Sequence, residues 1–171
     1  MAGLLALMLL TEARRTARVS ASGELVTLDE QDRGAWDAAL VAEGHRLVRE
    51  RLAAGVAPGR YQILAAINAV HTSAREVRDT DRSQVVALYD QLVRLDPSPI
   101  IALNRAVAVA ELDGPQVALA AVDRLEDTLA GTTPTMRSTP TCCADWAAVR
   151  SRVRRTPKPS SWRATPPRPP T

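Results

Sequence analysis

Cys142 and Cys143 stand side by side in TPTCCADWAAVRS and are the chain's only cysteines. Thiolates are metal ligands and redox groups, but a metal site needs further ligands at suitable spacing. The two histidines, His45 and His71, lie far away in sequence, and adjacent cysteines rarely bridge one another, so the pair reads as neither a metal nor a redox site. Histidine is the usual acid–base side chain. Neither His45 nor His71 belongs to a metalloprotease helix motif, a nucleophile elbow or a Gly-rich phosphate loop. His71 falls near the apolar side of a helical pattern and reads as a packed histidine; His45 reads as a helix-surface residue. Catalysis needs several convergent groups. The expectation is therefore no enzyme, no cofactor, no metal and no small-molecule substrate.

The most distinctive polar stretch is Asp29-Glu30-Gln31-Asp32-Arg33-Gly34-Ala35-Trp36. Gln31, Asp32, Arg33 and Trp36 are candidate contacts to a protein partner. The competing reading is structural: Trp36 anchors the core while Asp32 and Arg33 pair or cap locally. Arg14, Arg15 and Arg18 are spaced to share one polar helix edge, which is either solvated or docks an acidic partner. Asn104 and Arg105, inside a later helix, read as structural.

The elements that must position these residues are helices. Hydrophobic residues make up 46% of 171 residues but aromatics only 3%, with no Phe. A core of Ala, Leu and Val at helical spacing suits close helix–helix contact. Leu4–Arg18 reads as a first helix, and Ser-Ala-Ser-Gly then breaks the pattern. Glu24–Leu28 is a short extended piece or a loop. A second helix is expected from Thr27 or Asp29, where Thr27 and Glu30 fit a capping box, through Trp36, Leu40, Leu47 and Leu52 to a stop at Gly55. A third runs from about Gly59 to Ala74, with Tyr61, Leu64, Ile67, Asn68 and His71 on one side. A fourth starts at Asp81 or Ser83 and ends at Asp96-Pro97. A fifth starts with Ser98 as cap and Pro99 in the first turn, ending at Asp113-Gly114. A sixth runs from Pro115 to Gly131. The punctuation LDPSP, then LDG, with almost no turn between helices, is similar to tetratricopeptide repeats, and 98–131 spans one repeat length. The fold class expected is all-α, an array of antiparallel helical hairpins over 1–130.

LLALMLLTEARRTAR, GELVTLDEQDRGAWD, GRYQILAAINAVH and DTDRSQVVALYDQLVRLDPSPIIALNRAVAVAELDGP follow one another in order. As an ordered set over residues 3–131 they resemble the C-terminal extension of a large actinobacterial-type group of extracytoplasmic-function, sigma-70-family RNA polymerase sigma factors. The resemblance implies an all-α, tetratricopeptide-like region, placed after the promoter-reading domains, that regulates or supports sigma activity. Its partners would be those sigma domains or core RNA polymerase. The sigma domains themselves do not occur in this sequence, so Met1 is expected to be an internal or misassigned start, or the start of a broken gene. The alternative is a free-standing helical-repeat adaptor.

Charge is unevenly spread. From Gly131 onward there are eight Arg or Lys and one acid, Asp145, together with eight of the 12 prolines; residues 1–130 carry 14 basic and 18 acidic residues. A mildly acidic body is a poor binder of phosphate backbones. Residues 131–171 have a composition that cannot bury a core and are expected to be disordered. One frame away, the Cys142–Cys143 and Asp145–Trp146 junctions encode Leu and Trp146–Ala147 encodes Gly, which is the pattern of a repeat helix and its stop. A frameshift near Gly131 is therefore expected to have replaced the native C-terminus. At the other end, the apolar run in MAGLLALMLL is about ten residues, too short to span a bilayer, and its basic residues follow rather than precede it, the wrong order for a secretory signal. The expected compartment is the cytoplasm.

Overall fold

The computed structural model describes residues 2–24 and 26–132, with backbone alone for 125–132, and Ser151 and Val153 beyond. The cysteine pair and nearly all of the basic segment lie outside the described residues. Between residues 2 and 132, six α-helices follow in order: α1 (Ala2–Glu12), α2 (Ala38–Ala53), α3 (Arg60–Ser73), α4 (Arg82–Leu95), α5 (Pro99–Asp113) and α6 (Pro115–Thr132). Among the described residues the nearest thing to a strand is an isolated bridge at Val19, so the chain is all-α. It divides into two compact units, residues 1–101 and 102–171.

In the first unit α1 packs on α2 and α3, and α3 packs on α2 and α4. The core is built from small and branched side chains: Ala6, Leu10 and Ala13, then Ile63, Ile67 and Val70, then Val85 and Leu92. The spacing of Ile63, Ile67 and Val70 sets the inner face of α3. Tyr61 is 49% exposed and does not share it. Gly44 lets α2 approach α1 closely, because a Cβ there would meet Leu10 Cγ at 2.6 Å and Cδ2 at 2.7 Å.

The predicted starts of α3 to α6 agree with the structure to within a residue. The Asp81 side chain caps α4 by accepting from Gln84 N at 3.0 Å. The first two helices differ. Residues 2–12 alone form α1, and the arginines beyond it lie in a turn and a 3-10 helix at Thr16–Arg18. There, Arg14 Nε donates to the Leu10 carbonyl at 3.3 Å. The second helix begins at Ala38 rather than near Thr27. Thr27 Oγ1 does donate to Glu30 Oε2 at 2.8 Å, but the pair closes a turn. The working cap is Asp37, whose Oδ1 accepts from Ala39 N at 2.9 Å and Leu40 N at 3.0 Å. A box-like spacing is satisfied equally well by a turn, since both place a side-chain oxygen near a backbone donor.

In the second unit Leu103, Ala106 and Val122 form one buried cluster, and Ala110 and Ala118 are wholly buried. Ala110 and Ala118 lie equally far either side of Gly114, and so do Ala106 and Val122. That symmetry is the mark of an antiparallel hairpin. Gly114 permits the near-zero-length turn because its φ is +96°, a conformation that costs a side chain.

Candidate functional site

The segment between α1 and α2 folds back on itself and lands on the C-terminal end of α3. Asp37 N donates to the Ala13 carbonyl at 2.9 Å, and Thr16 Oγ1 donates to the Ala35 carbonyl at 3.1 Å. These ties carry Arg14 and Arg33 to the same place. The last carbonyls of a helix lack intrahelical donors and sit at the negative end of its dipole. Arg33 Nη1 supplies the donors, reaching the carbonyls of His71 at 2.6 Å and Ala74 at 2.9 Å. Its guanidinium lies 4.8 Å from the centre of the Trp36 ring, within cation–π range. Arg14 Nη2 donates to Asn68 Oδ1 at 2.7 Å, one turn earlier on α3.

The other predicted contacts fall around this clasp or away from it. Asp32 caps the 3-10 turn Arg33–Ala35, accepting from Gly34 N at 2.8 Å. Gln31 is buried, with Nε2 donating to the Val26 carbonyl at 3.2 Å. Trp36 is half-buried and precedes α2 rather than riding on it. Arg15 pairs with Glu12 at 2.8 Å on the open surface, and Arg18 is exposed. The three arginines do not form a single edge, because the helix that would align them ends at Glu12.

His71 lies within this cluster. Burial pushes its pKa down to about 4, with Arg82, Arg14 and Arg33 adding to the effect and Asp29 opposing it. The imidazole is therefore neutral at pH 7. Burial also lowers the Arg14 pKa, helped by Arg18 and Arg33. For Arg33, burial lowers it while Asp29 pulls the other way. Several buried polar atoms here have no hydrogen-bond partner in the protein: Gln31 Oε1, Trp36 Nε1, His71 Nδ1 and Thr80 Oγ1. A shallow cleft of about 600 Å³ lies alongside, lined by Gln31–Gly34 and Arg75–Arg78. Its carboxylates are engaged, Asp32 by Gly34 N and Glu76 by Arg78 at 2.8 Å.

This arrangement offers hydrogen bonds and positive charge, but no nucleophile set against a base. His45 is not a plain surface residue. Its Nε2 lies 2.7 Å from Thr72 Oγ1, and that hydroxyl donates onward to the Asn68 carbonyl at 2.9 Å. His45 Nε2 is thus the donor, and it ties α2 to α3. Among the described residues no group of three or more His, Cys, Asp or Glu is placed to hold a metal ion, and no helix is long and apolar enough to cross a membrane. Asn68, Thr72 and Arg82 complete this cluster; the fold of the 13–37 segment brings Arg14 and Arg33 to it, and the packing of α2 on α3 brings His45 to Thr72.

Residues 1–52 match a family described as of unknown function (DUF6596). The match runs through α1, the clasp segment and all but the last residue of α2, and includes Arg14, Arg15, Arg18, Gln31, Asp32, Arg33 and Trp36. The chain is also similar to the uncharacterized protein R00370 of Rhizobium meliloti (strain 1021), at 43% identity over 131 residues, which is 77% of this chain and 31% of that relative. The chain thus spans about a third of the relative's length. No solved structure matches.

Proposed function

We propose that residues 1–132 are a protein-interaction extension of an extracytoplasmic-function, sigma-70-family sigma factor, working in the cytoplasm through contacts with the sigma domains or core RNA polymerase. The observation that carries this reading is the outer face of α1. The helix AGLLALMLLTE is apolar nearly all the way round, and a helix of that kind is normally covered on every side. Its inner side is covered by α2 and α3. On its outer side Leu4, Leu5 and Met8 are 38%, 49% and 59% exposed. At that spacing they form one strip, and contiguous exposed apolar strips mark interaction sites.

Two further points support the reading. The family matched by residues 1–52 is found in the C-terminal region of some sigma-70 proteins, and the resemblance in the sequence puts the sigma domains immediately before α1. The relative of which the chain matches 31% leaves most of its own length for other domains. The α5–α6 hairpin serves in this proposal as the unit of a tetratricopeptide-like array, whose helices offer surface for a partner. No step of chemistry is involved: the extension restrains or supports sigma activity by contact. The DNA preceding the Met1 codon tests it. Sigma-domain coding sequence there, in this frame or a shifted one, is the expected result. Its absence sinks the sigma reading and leaves a free-standing adaptor that uses the same α1 strip.

A further inference from the structure

A second feature lies away from the arginine clasp, within the first unit. A pocket of about 170 Å³, partly open to solvent, lies where four helices meet, with Ala6 from α1, Leu47 from α2, Ile63 from α3 and Leu88 from α4 in its wall. The wall is mainly apolar, with Gln62 and Gln91 as its neutral polar residues. Its one charged side chain is Arg51, in the last turn of α2. Arg51 is half-buried and has no ion-pair partner among the described residues; its Nε is buried without a hydrogen-bond partner. The contrast with Arg46 on the same helix is informative. Both carboxylates of α2, Glu43 and Glu50, are bound to Arg46, so α2 has no carboxylate left for Arg51. No Asp or Glu lines the cavity.

We propose that this cavity is a binding site for a small apolar monocarboxylate. A mainly apolar pocket whose one charge is a guanidinium with no carboxylate partner among the described residues favours a ligand with an apolar body and one negative charge. A neutral ligand makes no charge-assisted bond to the guanidinium, and a cation is repelled by it. The chamber is close in size to cavities that accept a benzene ring, so the apolar body is limited to about five or six carbons. Longer chains would have to extend past Leu52 and Val56, which line the cavity and are themselves exposed. The carboxylate sits on Arg51, at the end of the pocket where α2 terminates. The site is independent of the α1 strip and stands whether or not the sigma reading holds.

The test uses the full 171-residue chain and ligand-observed NMR titration with 4-methylpentanoate, against 4-methylpentanamide as the neutral equivalent of the same shape. The expected result is that the carboxylate binds about tenfold more tightly than the amide. Arg51→Gln should bring the carboxylate down to the amide's affinity and leave the amide unchanged. Ala66→Leu, which puts bulk into the cavity, should abolish both. Arg51→Gln removes no ion-pair partner among the described residues, so it keeps the test decisive should Ala66→Leu disturb folding. Equal binding of acid and amide, or an acid affinity indifferent to Arg51→Gln, overturns the proposal. A short peptide with an internal Leu-Asp pair that binds tenfold more tightly than 4-methylpentanoate also overturns it, assigning the pocket to a protein segment instead.

Discussion

Arg33→Ala separates a structural from a partner-binding role for the clasp. The side chain donates to two carbonyls at the end of α3, at 2.6 and 2.9 Å, and stacks on Trp36 at 4.8 Å. A hydrogen bond from a charged donor contributes about 1.5–3 kcal/mol. Arg33 is only half-buried, so water would take over part of both bonds and at most half of their sum would be lost. The stacking adds roughly 0.5–1 kcal/mol. Relief of repulsion from Arg82 offsets a fraction. The net expectation is a loss of about 2 kcal/mol, or about 8 °C in Tm for a unit of this size. Arg33→Lys keeps the charge but loses the planar fork and should cost about half as much. Urea unfolding followed by far-UV circular dichroism reads the free energy directly. The double change Arg33→Ala with Trp36→Leu should cost less than the sum of the singles. A loss for Arg33→Ala below about 0.5 kcal/mol, the range of ordinary surface changes, refutes the clasp and returns Arg33 to the surface as a free contact.

Three more outcomes follow from the packing and the charges. Gly44→Ala drives a methyl into Leu10, with contacts at 2.6 and 2.7 Å, and should destabilise by about 1–3 kcal/mol in the same unfolding assay. Asp37→Ala removes the cap from two donors of α2 and should cost about 1 kcal/mol. The pH dependence comes from His71. Its folded pKa of about 4 lies below its ordinary 6.5, so the unfolded chain takes up the proton first. Stability is full above pH 6.5, falls as pH drops towards 4, and loses on the order of 2–3 kcal/mol across that window. His71→Gln should flatten most of this slope. A residue of it persists from His45, whose pKa is lowered by burial and then by Arg49. Glu43 and Asp81, held low by hydrogen bonds from Arg46 and from Ser83 respectively, act only at lower pH. An unchanged slope in His71→Gln would show that the histidine is not the titrating group.

The later helices were legible because their boundaries are written in residues with one local meaning. Pro99 and Pro115 open helices, Gly114 turns between them, and Asp81 caps α4. Within 13–37 the turn at Ser20–Gly23 was legible, but the end of α1 and the start of α2 were not. The segment's apolar and charged spacing is compatible with a helix, and what ends α1 at Glu12 is a set of tertiary ties, Asp37 to Ala13 and Thr16 to Ala35, that no local pattern encodes. The arginines and the Asp29–Trp36 stretch were identified as noteworthy, and two of them, Arg14 and Arg33, do meet on α3. Their targets are a side-chain amide and backbone carbonyls, and a carbonyl has no residue type to read. The Arg51 cavity escaped for a similar reason: its wall is drawn from four helices, and its signal is the lack of a carboxylate partner among the described residues, which only three-dimensional packing reveals.

The central claim is the proposal that the outer strip of α1 binds sigma domains. Isothermal titration of the 171-residue chain with the two sigma domains that the proposal places upstream of the Met1 codon tests this most directly, comparing the natural sequence with Leu5→Glu plus Met8→Glu. Both side chains are about half exposed or more, so the variant should keep its helicity. The account predicts saturable binding by the natural chain and at least a roughly tenfold loss in the variant, as expected for apolar anchors at an interface centre. No binding by the natural chain, or equal binding by the variant, contradicts it.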